Sequence, residues 1–172
     1  MRFATERLEI KPIEMEDKER VLDLVTNEIA GKTYMFPKFE CREEAEPLFR
    51  RLVTLSGDDS RYVAGVYLDG SFIGMTNAVE IKGKQVEMGY AYLPDYYNRG
   101  YATEAFHGAI DYLFDRGFET VLAGAFEENP ASLRVMAKCG MTRQEYTEEI
   151  DYRGATHTCI FYAINKEAYL NR

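Results

Sequence analysis

The stretch Glu87-Met88-Gly89-Tyr90-Ala91-Tyr92-Leu93-Pro94, followed after four residues by Arg99-Gly100-Tyr101-Ala102-Thr103-Glu104-Ala105, decides how the chain is read. Gln85 to Leu93 alternates as a strand. One face carries Val86, Met88, Tyr90 and Tyr92; the other carries Glu87, Gly89, Ala91 and Leu93. The second face is nearly bare around a single carboxylate. Small residues on a strand leave room for something to lie close, and a helix crossing tightly over the sheet accounts for Gly89 and Ala91 equally well. It accounts less easily for Glu87, because a buried mid-strand carboxylate needs a partner or water. Pro94 ends the strand. Gly100 then opens a helix whose Ala102, Ala105, Phe106, Ala109, Ile110, Leu113 and Phe114 form one apolar face, and Gly117 stands at the C-terminal cap position.

Upstream, Asp69-Gly70 and Lys82-Gly83-Lys84 are turn signals separating strands over Arg61 to Leu68, Ser71 to Ile81 and Gln85 to Leu93, an antiparallel meander. Before these, Leu8 to Ile13 alternates as a strand. Helical spacing runs from Asp17 to about Ile29 and from Glu43 to Leu55. Downstream, Thr120 to Phe126 is a short strand. Asn129-Pro130 starts a helix, with Asn as N-cap and Pro in the first turn, and Gly140 ends it. Strands over Met141 to Ile150 and Thr156 to Ile164 form a hairpin around Arg153-Gly154. The order βααβββαβαββ implies a mixed α+β sheet. With no linker and no repeat, residues 1–172 are expected to form a single domain.

Composition narrows the partners. The net charge of -8 argues against a nucleic-acid backbone as the main ligand and leaves a cationic acceptor open. Any anionic ligand must then be held by local donors. Charges interrupt the N-terminal segment Met1 to Ile10, so no signal peptide is read there. The purest apolar run, Tyr62 to Leu68, is too short to span a membrane. Cys41, Cys139 and Cys159 are odd in number and widely spaced, which predicts free thiols and a cytoplasmic location. With two histidines, His107 and His157, and no ligand spacing, no metal site is expected.

Three constellations carry chemistry. Tyr97-Asn98-Arg99-Gly100-Tyr101-Ala102-Thr103 sits between a strand end and a helix start, where free N–H groups and the helix dipole suit an anion. It is neither a P-loop nor a dinucleotide fingerprint, and an ordinary turn reads equally well. Glu87 is the second. Glu128-Asn129-Pro130-Ala131-Ser132 is the third, and helix capping alone accounts for it. Glu145, Glu148, Glu149 and Asp151 read as a solvated hairpin that could attract a cationic acceptor.

Taken together and in order, these runs resemble the GNAT N-acetyltransferases, and most closely their branch of ribosomal-protein N-terminal acetyltransferases. The resemblance covers Glu87 to Pro94, Arg99 to Ala105, Asn129 to Ser132 and Lys138-Cys139-Gly140-Met141. It extends to the opening Thr5-Glu6-Arg7-Leu8-Glu9-Ile10-Lys11-Pro12. It implies a splayed mixed sheet with acetyl-CoA, the co-substrate, in the splay. Backbone groups near Tyr92 and Leu93 would hold the pantetheine. N–H groups of Asn98, Arg99, Gly100, Tyr101, Ala102 and Thr103 would cradle the pyrophosphate. Asn129 would bond the pantetheine arm, and Ser132 would lie near the sulfur. Two positions depart from the family: Tyr97 stands where Gln or Arg is usual, and Met136 where many members carry a general-acid Tyr.

The expected reaction is direct transfer to an amine in a ternary complex. Glu87 takes the amine proton, a backbone N–H near Leu93 meets the oxyanion, and Ser132 is the candidate acid. An α-amino group with pKa about 8 is roughly one-tenth neutral at pH 7, whereas lysine is neutral to well under about 0.1%. A single modest base therefore suits a protein N-terminus. A small amine such as a polyamine or aminoglycoside, or an acyl-CoA-binding module without catalysis, are the alternatives.

Overall fold

The computed structural model describes residues 1–171. Its elements are β1 (Phe3–Ala4), β2 (Leu8–Lys11), α1 (Lys18–Val25), α2 (Glu46–Ser56), β3 (Val63–Leu68), β4 (Ser71–Lys82), β5 (Gln85–Tyr92), α3 (Tyr101–Asp115), β6 (Thr120–Phe126), α4 (Pro130–Lys138), β7 (Thr142–Tyr152), β8 (Ala155–Asn165) and α5 (Lys166–Leu170). The strands form one mixed sheet in the order β1-β2-β3-β4-β5-β6-β8-β7. The expected series is present, with a two-residue strand added in front and a five-residue helix added at the end. β2, β3 and β4 pair antiparallel, and β5 pairs β6 in parallel from Gln85–Thr120 to Glu87–Leu122. β8 lies antiparallel between β6 and β7.

Local chemistry accounts for most boundaries. β7 and β8 meet at Arg153 (φ 51°) and Gly154 (φ 83°), two left-handed residues in the hairpin turn whose twist matches the strands. α3 closes where Gly117 N–H donates to the Phe114 carbonyl and Phe118 N–H to that of Leu113, the paired bonds of a glycine cap. α1 stops at Val25 rather than near Ile29. The Thr26 hydroxyl bonds back to the Leu22 carbonyl, and Asn27 Oδ1 accepts the N–H groups of Ile29 and Ala30. Asn27 thus draws the backbone into a turn instead of a further helical turn.

Two compact units divide the residues. The first holds Met1–Asn77 and Tyr90–Ala105; the second holds Ala78–Gly89 and the chain from Phe106 onward. The chain changes unit inside β4, β5 and α3. In the first unit, Leu24 and Val25 of α1 and Phe49 of α2 cluster with Val63, Phe72 and Met75 of β3 and β4. In the second, Phe106, Ile110 and Leu113 of α3 are buried, as are Val121 of β6 and Ile160 and Ile164 of β8. Each such side chain contributes about 1.5–3 kcal/mol on burial. Among the described residues no helix is long and apolar enough to cross a membrane.

Candidate active site

The first unit carries Tyr92, Leu93 and the loop to Thr103. β5 alternates as expected through Gly89, with Val86 and Met88 buried and Glu87 and Gly89 half-buried. The alternation then fails: Tyr90 is half-buried while Ala91, Tyr92 and Leu93 are all buried. At this end the strands approach closely. A Cβ on Gly74 would stand 2.5 Å from the Ala91 carbonyl oxygen, so only glycine admits the observed spacing. The Leu93 N–H donates to the Ile73 carbonyl at 2.9 Å, and the Leu93 carbonyl accepts from Tyr96 N–H at 3.0 Å. The Leu93 N–H is thus committed to the sheet, which leaves the oxyanion donor expected near Leu93 to another group.

The loop after Pro94 is exposed from Tyr97 to Gly100. It uses the left-handed region twice, at Asn98 (φ 58°) and Gly100 (φ 84°). Gly100 permits that conformation without a Cβ cost. Gly100 also supplies the carbonyl that accepts from Glu104 N–H at 3.0 Å, so α3 starts immediately after it. The first helical N–H groups lie at the positive end of the helix dipole. The loop therefore fits a pyrophosphate: it combines a glycine without side chain, a helix start and the exposed Arg99. Tyr97, the unusual residue here, is exposed at one edge but partly desolvated, which holds its pKa above the ordinary value, an effect the Thr33 hydrogen bond offsets in part. Through that bond it ties the loop to Thr33.

The second unit carries Glu87, Asn129 and Ser132. Glu87 stands opposite Leu122 at the end of the parallel register. Burial raises its pKa above the ordinary carboxylate range, the Glu148 and Glu80 carboxylates raise it further, and Lys82 pulls it back. A carboxylate held toward neutrality is a better proton acceptor at neutral pH than an exposed one. Glu87 and Glu148 also act on Cys159. Burial first, and then Glu87 and Glu148, push its thiol up to about 11. Cys159 therefore offers almost no thiolate at neutral pH.

Asn129 caps α4 through Oδ1, which accepts the Ser132 N–H at 3.2 Å. The amide nitrogen of Asn129 is not the atom used in that cap. Ser132 is half-buried in the first turn, and Met136 is fully buried. No titratable group stands where a tyrosine acid is common. The hairpin acids are exposed, and Glu149 and Asp151 accept the hydroxyls of Thr158 and Thr156 at 2.9 and 2.6 Å. His107 is exposed, and His157 is half-buried and stacked on Phe126, its Nδ1 3.1 Å from Glu128.

One feature of the loop's surroundings had no sequence signal. Thr5 and Arg7 engage Glu104 of α3 across more than 90 residues of chain. The opening Thr5 to Pro12 stood out only as part of the family resemblance, with no role attached.

Comparison with known proteins identifies the family. Residues 7–142 match the family described as Acetyltransferase (GNAT) domain. An acetyltransferase of the GNAT family from Bacillus anthracis superposes with a TM-score of 0.84 at 26% identity, over 97% of this chain and 99% of that one. A Vibrio cholerae spermidine N-acetyltransferase, solved with CoA and spermine, gives 0.80 at 20% identity over 96% and 99%. The ribosomal L7/L12 α-N-protein acetyltransferase RimL, solved with CoA, gives 0.80 at 15% over 98% and 99%. At the last two identities the likeness is one of fold. A family match that spans most of the chain, on a fold with this element order, settles the class: the chain belongs to the GNAT acetyltransferases and is an acetyl-CoA-dependent acyltransferase.

Proposed function

We propose that the acceptor is a protein N-terminal α-amino group, acetylated by direct attack in a ternary complex. Glu87 carries the reading. It is a half-buried carboxylate whose pKa is raised by burial and by neighbouring carboxylates, the environment of a base rather than of an ion pair. Acetyl-CoA supplies the acyl group already activated as a thioester. In this reading the N–H groups from Asn98 to Thr103 receive the pyrophosphate, assisted by Arg99. Backbone groups at Tyr92 and Leu93 line the pantetheine, and the Asn129 amide nitrogen donates to the same arm. Glu87 accepts the amine proton, directly or through water. The Ser132 hydroxyl or solvent protonates the departing thiolate. A thiol of pKa about 8.5 is a tolerable leaving group, which makes a missing tyrosine survivable. The protonated state of Cys159 favours direct attack over a cysteine acyl-enzyme.

One modest base suits an amine that is already partly neutral. That condition favours an α-amino group of pKa about 8 over lysine at about 10.4. The resemblance to the ribosomal-protein branch points the same way. A second reading, a small polyamine acceptor, is favoured by the exposed acids of β7 and by the fold shared with a spermidine enzyme. We also read the chain as one catalytic domain, because the two units exchange chain within β4, β5 and α3. Free thiols at Cys41, Cys139 and Cys159 favour the cytosol.

The test is release of the CoA thiol with three acceptors. These are a peptide with a free N-terminus and no lysine, the same peptide N-blocked with one lysine, and spermidine. The proposal expects turnover with the first and little with the others. Turnover confined to spermidine would replace it with the polyamine reading.

A further inference from the structure

The loop assigned to the pyrophosphate does not hold its shape alone. Arg7 bonds one of its residues, lies over the ring of a second and faces the glycine between them. Its Nη1 donates to the Arg99 carbonyl at 3.3 Å. Its Nη2 lies 3.4 Å from where a Cβ on Gly100 would be. Its guanidinium carbon sits 4.7 Å from the centroid of the Tyr101 ring.

The same guanidinium is anchored on Glu104. Arg7 Nε and Nη2 each lie 2.6 Å from Glu104 Oε2. Glu104 Oε1 accepts the Arg7 N–H at 2.8 Å and the Thr5 hydroxyl at 2.6 Å. Both carboxylate oxygens are thus consumed. Burial pushes the Glu104 carboxyl up, but the Thr5 hydroxyl and the Arg7 N–H and guanidinium outweigh it and leave it below its ordinary value.

This arrangement answers two physical problems. A carboxylate in the first turn of α3 would repel an anion at the helix start unless its charge were cancelled nearby. A loop with two left-handed residues in three would also sample other shapes unless its carbonyls were pinned. A planar guanidinium meets both needs, because it can bind a carboxylate and a carbonyl in fixed directions together. We propose that Arg7, fixed by Glu104 and Thr5, is a positioning residue for acetyl-CoA: it holds the 98–103 loop in its anion-receiving shape before the pyrophosphate arrives. The proposal rests on the assignment of that loop to the pyrophosphate.

The experiment compares two acetyl donors, acetyl-CoA and S-acetylpantetheine, which lacks the pyrophosphate and nucleotide. Wild type, Arg7→Gln and Arg7→Lys are measured with one amine acceptor. In Arg7→Gln the KM for acetyl-CoA should rise roughly tenfold, with kcat at saturation nearly unchanged. The KM for S-acetylpantetheine should stay at the wild-type value. Arg7→Lys keeps the charge but not the fork, so it should show the same selectivity with a smaller rise. If Arg7→Gln does not fold, Arg7→Lys decides alone. An equal loss with both donors, or no loss with either, overturns the proposal and leaves Arg7 as a tether of the N-terminal segment. A wild type with the same KM for both donors would instead overturn the loop assignment itself.

Discussion

Glu87 is a carboxylate that the fold keeps partly out of water, and this has a thermodynamic signature separate from catalysis. Burial, then Glu148 and Glu80, hold its folded-state pKa above the value of an unfolded chain. A raised acid binds its proton more tightly when folded. Its stabilising contribution is therefore fully present below the unfolded value of about 4.3 and is lost as pH rises through the folded value. At neutral pH the ionised carboxylate costs stability. Glu87→Gln, which cannot ionise, should melt at a higher temperature than wild type near pH 7, and the difference should vanish below about pH 4. Thermal melts by circular dichroism at the two pH values check this. A variant that is less stable than wild type at neutral pH would make Glu87 a bonded structural carboxylate. Glu87 was legible in the sequence because a lone carboxylate on a bare strand face is anomalous. Its neighbours were not, because Glu148 comes within electrostatic reach only when β7, β8, β6 and β5 lie side by side.

The start of α4 separates capping from ligand binding. Asn129 serves the cap with its oxygen, and the proposed pantetheine contact uses its nitrogen. Asn129→Asp keeps a capping oxygen and loses the donor; Asn129→Ala loses both. The alanine variant should lose about 1 kcal/mol of stability in urea unfolding. The aspartate variant should remain near wild type in stability, yet both should bind CoA more weakly by calorimetry. Normal CoA affinity in Asn129→Asp would confine Asn129 to the cap. The elements most legible in sequence were those with local punctuation, such as Asn129-Pro130, Gly117 and Arg153-Gly154, where backbone geometry follows from the residue itself. Two elements were missed. Phe3–Ala4 becomes a strand only because β2 offers it an antiparallel edge, and Lys166–Leu170 is a single capped turn too short for a periodic signal. The end of α1 was misplaced because apolar spacing continues to Ile29, while Asn27 decides the backbone.

Over the whole molecule, an acidic chain must bind an anionic co-substrate. The net charge of -8 makes the global field unfavourable, so affinity has to come from a few fixed N–H groups and from cations whose neighbours do not cancel them. The element order, the meander and the strand-to-helix loop could all be read from spacing, whereas acetyl-CoA as the co-substrate came only with the family. What no local reading supplied was long-range pairing: the Thr5–Arg7–Glu104 clamp and the Leu93 N–H bonded to Ile73 both depend on residues far apart in sequence. Direct transfer as proposed depends on Glu87 removing the amine proton. The most direct test is the pH–rate profile of wild type and Glu87→Gln with a free N-terminal peptide at saturating acetyl-CoA. At about pH 7 the variant should be slower by up to about tenfold, and at about pH 6 by up to about a hundredfold, the factors by which the neutral amine is scarce. The two rates should converge as pH passes the amine's own value of about 8, where the acceptor deprotonates unaided. Equal rates at neutral pH, or the same deficit at every pH, would contradict the assignment of Glu87 as the base.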